Sequence, residues 1–380
     1  MKKFDIIAST TFGLEALTKR ELLDLGYDEF LVENGRITIK GEMVDVVKLN
    51  LWLRTAERIS IKVGEFKALT FTELFDKTKE LPWEEWIDID GNFMISGKSL
   101  NSKLFSVSDC QSIVEKAIVE RLKENYDVEW FSKSKARFKV EVSINKDIAT
   151  LTLNTSGDGL HKRGYRNRAN LAPIKETLAA SLVMLSYWNN ERLLYDPFCG
   201  SGTILIEALL IGKNIAPGLD RKFDFEEWEV FPKEIVKAER IKARSLINHD
   251  SKLRIMGSDI DKKSILIARD NLANLGLEEE ITFFVKDMRD VDIKNEYGVL
   301  ITNPPYGVRM GNDDEVRQLY VDFGNKFREL DKWSIYVITN DEDFERYFGK
   351  RADRKRKLYN GRIKVDYYQF FGPKPIKERW

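Results

Sequence analysis

Two short stretches carry residues whose types and spacing could do chemistry. The first is Asp196-Pro197-Phe198-Cys199-Gly200-Ser201-Gly202-Thr203. Its glycines let the backbone approach a ligand closely, and a helix opening at Thr203 would offer free N–H groups to it. The second is Asn303-Pro304-Pro305-Tyr306. Two consecutive prolines cannot continue a central strand, so they form a rigid turn that fixes the Asn303 amide and the Pro304 carbonyl.

The first stretch narrows the ligand. A dinucleotide fingerprint asks for a third glycine, where Leu205 stands, and the Gly-Lys-Ser/Thr of a phosphate-binding loop is absent. Asp196, just before the glycines, could accept a hydrogen bond from an ammonium group, which an amino-acid cofactor has and a nicotinamide dinucleotide lacks. Two further acids fit such a cofactor. Asp259, closing a strand over 254–258, could bind both ribose hydroxyls, and Asp287, after a strand over 281–285, could accept from an adenine amino group. Each has a plainer reading: Asp259 or Asp261 could cap a helix over 262–274, and Asp287 could be a turn residue.

The elements that must position these residues are legible. Strand-length apolar runs at 193–198, 254–260, 281–287, 299–305 and 333–339 alternate with helices, which predicts an α/β domain with a parallel, Rossmann-like sheet. Upstream the pattern is α+β. Residues 4–8 and 36–40 read as strands, and Leu14, Leu17, Leu22 and Leu25 lie on one helix face ending at Gly26. Another helix spans 44–53. Between 66 and 155 come a helix over 71–79, a strand over 92–97, a helix capped by Ser108, and two strands joined at 145–147. The expected division is 1–65, 66–155, a Gly- and Arg-rich linker over 156–170, and 171–380.

The 62 Lys and Arg balance the 62 Asp and Glu. That zero hides an asymmetry: residues 1–160 carry 23 basic and 27 acidic groups, and 161–380 carry 39 and 35. A bulk polyanion binder would be more basic, so nucleic-acid contacts must come from local patches. Lys133, Lys135, Arg137 and Lys139 alternate along one strand face; Lys162, Arg163, Arg166 and Arg168 fill the linker; a third run spans 350–357. Two distant cysteines exclude a CxxC metal site and suit a reducing cytoplasm. No membrane span, signal peptide or metal site is expected.

Together, the two motifs resemble the amino-methyltransferases of Rossmann-like fold. The 214–218 stretch (Asn-Ile-Ala-Pro-Gly), the aromatic segment 223–228 and the Arg163-Gly164-Tyr165-Arg166 linker sharpen this to the bacterial THUMP-domain RNA methyltransferases, above all the L-type 23S rRNA guanine-N2 enzymes. The resemblance implies a ferredoxin-like module over 1–65, a THUMP domain over 66–155 and a methyltransferase domain over 171–380. It also implies S-adenosylmethionine as cofactor, held by Asp196, Pro197, Phe198, Gly200, Ser201, Gly202, Thr203, Asp259, Asp287 and Asn303. Asn303 and Pro304 would orient the target amine, with Pro305 shaping the turn and Tyr306 stacking on the base. Structured RNA, in particular 23S rRNA, would be the partner, contacted by Lys135, Arg137, Lys139, Arg163 and Arg166. Neither cysteine lies at the Asn-Pro-Pro-Tyr turn, which disfavours C5 methylation of pyrimidines. Open alternatives are guanine-N2 methylation of tRNA, adenine-N6 methylation of nucleic acid, and an inactive RNA-binding ribosome-assembly factor.

Overall fold

The structure, a computed structural model, describes residues 2–166, 174–305 and 313–375. They fall into two units. The first gathers the chain up to Thr10, Thr18–Leu160 and Gly218–Ser245; the second gathers Thr11–Leu17, His161–Pro217 and the chain from Leu246.

The elements up to residue 154 are β1 (Phe4–Thr10), α1 (Glu15–Asp24), β2 (Phe30–Glu33), β3 (Arg36–Gly41), α2 (Met43–Trp52), β4 (Ala56–Lys67), α3 (Phe71–Lys79), β5 (Asn92–Leu100), α4 (Val107–Tyr126), β6 (Arg137–Asn145) and β7 (Ile148–Asn154). Their strands make one sheet in the order β2-β3-β1-β4-β7-β6-β5, antiparallel throughout except for β5 against β6. β6 alternates as its sequence demands, burying Phe138, Val140, Val142 and Ile144. The twelve-residue β4 pairs with both β1 and β7, so the boundary expected at 65–66 falls inside a strand. Ser106, not Ser108, is the N-cap of α4, a shift of two residues.

The rest of the chain supplies α5 (Glu176–Met184), β8 (Leu194–Asp196), α6 (Thr203–Gly212), α7 (Lys233–Ser245), β9 (Ile255–Asp259), α8 (Lys262–Ala273), β10 (Thr282–Val285), β11 (Val299–Thr302), α9 (Asp313–Phe327), β12 (Ser334–Thr339), α10 (Phe344–Phe348), β13 (Arg354–Asn360) and β14 (Ile363–Phe370). The second sheet has the order β10-β9-β8-β11-β12-β14-β13. The five strands from β10 to β12 are parallel, and β14 runs antiparallel to both its neighbours, β12 and β13. β8, β11 and β12 are buried along their whole length, as strands covered on both faces must be. Val299 and Ile301 enter one core cluster and Leu300 the other, which is the two-residue period of a strand between two helical layers.

α7 and the segment before it belong to the first unit. Phe223, Phe225, Trp228 and Phe231 join its core, and Trp228 stacks on Phe138 with ring centroids 4.8 Å apart while its Nε1 donates to the Arg137 carbonyl. Among the described residues no helix is long and apolar enough to cross a membrane. Nor, among them, does any group of His, Cys, Asp or Glu have the arrangement to hold a metal ion.

Candidate active site

In an open parallel sheet, ligands bind beyond the carboxyl ends of the strands where the strand order reverses. Here β8 and β11 flank that point. Asp196 ends β8, Asp259 ends β9, Asp287 follows β10 and Asn303 follows β11, so the second unit brings all four to the same edge.

Asp196 is fully buried. The Thr302 hydroxyl donates to its Oδ1 at 2.5 Å, joining β8 to β11, and the Phe198 N–H donates to the same oxygen at 3.0 Å. Burial, with the Asp259 charge adding to it, pushes the Asp196 carboxyl up to about 7 against those hydrogen bonds. Asp259 accepts the Gly200 N–H at 3.0 Å on one oxygen and the Asp261 N–H at 2.9 Å on the other; burial raises its pKa as well. Asp261 is the cap of α8, taking the Lys263 and Ser264 N–H groups. The acid that caps and the acid free to serve the site are therefore separate residues. Asp287 caps the short 288–290 turn and pairs with Arg289 at 2.9 Å, so its turn role is real whatever else it does.

The glycine turn between them is tightly held. Gly202 donates to the Cys199 carbonyl, Cys199 to the Ser258 carbonyl, and the Asn271 amide to the Ser201 carbonyl. Gly200 (φ +52°) and Gly202 (φ +78°) lie in the left-handed region. A methyl on Gly202 would sit 2.9 Å from the Phe283 ring, whereas one on Gly200 would meet only open space. Gly202 thus serves packing and Gly200 faces room for a ligand. Pro197, Ser201 and Thr203 are buried in the turn, and Phe198 packs against Phe323. Burial pushes the Cys199 thiol well above its ordinary value, so no thiolate nucleophile is available there.

Asn303 Oδ1 is buried and, among the described residues, has no hydrogen-bond partner. An orphaned carbonyl oxygen at a strand end costs free energy unless a ligand donates to it. The Pro305 carbonyl already accepts from the Tyr320 hydroxyl at 3.3 Å. Tyr306, expected to stack on the base, lies outside the described residues. This donor set fits S-adenosylmethionine: two carboxyls with raised pKa would welcome a cationic amino-acid head or a sugar diol, and the open face at Gly200 leaves room for it.

Sequence reasoning missed Thr302, which fixes Asp196, and Asn271, which anchors the glycine turn.

The basic residues expected to meet RNA are placed differently from one another. Arg163 is a correction: its side chain is 2% exposed and pairs with the buried Glu207 at 3.4 Å, where it cannot reach a phosphate. The Tyr165 hydroxyl shares that Glu207. Arg166 is also turned inward, donating to Thr203 Oγ1 at 2.7 Å and pairing with Glu176 at 3.5 Å. Both fasten the linker to α6 within the second unit; Arg168 lies outside the described residues. On β6, Lys139 (25% exposed) and Arg137 (61%) face Asp224, at 3.3 and 3.8 Å, and Lys135 lies near Asp90 and Glu229. Asp224 comes from the aromatic segment and presses on Gly157, where no Cβ would fit.

This fold and this site define a Rossmann-like methyltransferase with S-adenosylmethionine as methyl donor. The chain belongs to the RMKL-like methyltransferase family: that domain's profile matches residues 163–369, a THUMP domain matches 68–154 and the RlmL ferredoxin-like domain matches 5–60. It is 48% identical over 373 residues to the Bacillus subtilis (strain 168) protein named "Putative RNA methyltransferase YpsC", covering 98% of this chain and 97% of that one. It is 35% identical over 363 residues to the ribosomal RNA large subunit methyltransferase K/L of Psychromonas ingrahamii, covering 93% of this chain and 48% of that enzyme. The chain thus spans about half the length of the K/L enzymes it matches. Among solved structures, SMU.472 in complex with SAH shares 43% identity with a TM-score of 0.93, covering 99% of this chain and 100% of that one.

Proposed function

We propose that this protein methylates an exocyclic amine of an RNA base, and that the amine is N2 of a guanine in 23S rRNA. The observation that carries the amine is the buried Asn303 Oδ1 just after β11, which has no partner among the described residues. An exocyclic amine is a weak nucleophile because its lone pair is delocalised into the ring. Asn303 Oδ1 and the Pro304 carbonyl accept its two N–H bonds, which pulls the nitrogen toward tetrahedral geometry and points the lone pair into the site. Positioning of this kind is worth about 7–11 kcal/mol at best. S-adenosylmethionine, held by Asp196, Asp259 and the Gly200 turn, supplies an electrophilic methyl group. No strong base is required before transfer, and among the described residues the site holds no histidine or thiolate that would act as one.

The THUMP domain and the RNA enzymes among the relatives support RNA as the substrate class, with Arg137 at the start of β6 and Lys135 just before it as the exposed cations. Guanine N2 and 23S rRNA rest on the resemblance to the L-type enzymes. The decisive experiment incubates the protein with isotopically labelled S-adenosylmethionine and unmodified total RNA from a strain lacking the gene, then identifies the labelled nucleoside by mass spectrometry. N2-methylguanosine in 23S rRNA is expected. Label in tRNA moves the target to tRNA, N6-methyladenosine moves the chemistry to adenine, and no label in any RNA removes the proposal.

A further inference from the structure

The third basic run found in the sequence, at 350–357, has no part in the site described above, and its place in the fold is specific. It lies on β13, the outermost strand of the second sheet, and on the turn leading into it. The nearby acids are already engaged. Asp366 pairs with Lys355 at 3.3 Å, Glu342 with Lys364 at 2.8 Å, Asp353 accepts the Phe371 N–H and Glu345 the Ala352 N–H. Among the described residues, Lys350, Arg351, Arg354, Arg356, Lys357 and Arg362 pair with no carboxylate. All but Arg356 are exposed, and the buried Nε of Arg356 has no hydrogen-bond partner.

Aromatic rings flank the same strand. The Lys357 ammonium lies 5.9 Å from the centre of the Tyr359 ring. Phe12 meets Tyr359 edge-on at 6.3 Å and is itself 57% exposed, and a Cβ on the neighbouring Gly13 would lie 3.5 Å from the Lys357 carbonyl. A ladder of cations without carboxylate partners beside an exposed ring, Phe12, and the half-buried Tyr359 is the chemistry that tracks a phosphate backbone and stacks on unpaired bases.

We infer that the β13 edge, with Phe12 beside it, is a docking surface for the sugar-phosphate backbone of the RNA substrate, carried by the methyltransferase unit itself and separate from the THUMP domain. This rests on the reading of RNA as substrate. The competing explanation is that lysines and arginines on an edge strand merely block edge-to-edge pairing. Glutamates would serve that purpose as well, so charge reversal separates the two.

The test compares the full-length wild type with an Arg354→Glu/Lys357→Glu/Arg362→Glu variant, and separately with Phe12→Ala. The probe is an unmodified 23S rRNA transcript, titrated by filter binding at several salt concentrations. The thermal shift caused by S-adenosylhomocysteine reports folding and the cofactor site. The triple variant should bind at least about tenfold more weakly at matched salt, and its salt dependence should flatten by about 0.7–0.9 log units for each phosphate that it no longer neutralises. The shift with S-adenosylhomocysteine should be unchanged. Phe12→Ala should weaken binding without changing the salt slope, because stacking releases no counterion. Wild-type affinity and slope in the triple variant overturn the inference while leaving RNA as substrate. If the wild type binds no RNA, the RNA reading falls and this surface with it.

Discussion

Asp196 is a carboxyl that burial holds near neutrality, and this has two consequences. Its folded-state value of about 7 stands above the ordinary 3.8, so the unfolded chain gives up the proton first as pH rises. The ligand-free protein should therefore lose stability as pH rises from about 4 to about 7 through this group, since the native state binds more protons over that window. A cationic ligand beside Asp196 favours the carboxylate and opposes that loss. The stabilisation by S-adenosylmethionine, read as a shift in Tm, should thus be larger at about pH 8 than at about pH 6. In Asp196→Asn the difference between the two pH values should vanish; if it persists, another group titrates. Asn303→Ala should lower kcat about 100- to 1,000-fold, the range for removing one preorganised polar group that serves a transition state. Calorimetry should show cofactor affinity nearly intact, a loss far smaller than that in kcat, and a variant keeping about a tenth of wild-type turnover would remove the amine-orienting role.

At the scale of elements, the arrangement depends on buried polar pairs and on a segment that packs far from its neighbours in sequence. Arg163 and Glu207 are both within the core of the second unit, and breaking a buried pair removes the opposite charge that offsets the burial of the arginine. Glu207→Ala should cost about 3–5 kcal/mol, measured by denaturant unfolding, with a fall in cofactor affinity because α6 begins at the glycine turn. A loss under about 1 kcal/mol would mean that water reaches Arg163. In the first unit, Trp228→Ala removes both the stack on Phe138 and the hydrogen bond to the Arg137 carbonyl, at a cost of about 3–5 kcal/mol. The same change frees Asp224 and β6 to move, so the pairs of Arg137 and Lys139 should loosen with it.

For the whole molecule, the two units are not the two halves of the chain. Gly218–Ser245 leaves the second unit to complete the core of the first. A chain cut to begin at residue 156 therefore keeps Phe223, Phe225, Trp228 and Phe231 but lacks the sheet that buries them. Exposed apolar clusters of this kind promote association. The truncated chain should aggregate by light scattering, and replacing 218–245 by a short polar linker should reduce that aggregation, leaving exposed only the surface that Leu14 and Leu17 cover in the full chain. A monodisperse, ligand-binding 156–380 fragment would mean that the segment finds other cover.

The sequence by itself determined the site's vocabulary and its order. Asp196, the glycine turn, Asp259 and Asn303 were legible because each is tied to a strand end, and strand ends follow from local apolar runs and from Gly and Pro, which act within a few residues. The same locality placed α3 at 71–79 and started β11 at 299, with the strand ending at Thr302 before the Asn-Pro-Pro turn. What only the tertiary structure decided concerns groups whose meaning depends on a distant partner. Nothing local distinguishes Arg163, paired with a glutamate 44 residues on, from a solvated arginine in a basic linker. Nothing local sends 218–245 to the first unit, makes β4 the strand shared by two segments, or puts the 350–357 run on a sheet edge. Burial and pairing come from long-range packing, and a side chain's charge says what it can do only once its neighbours are known.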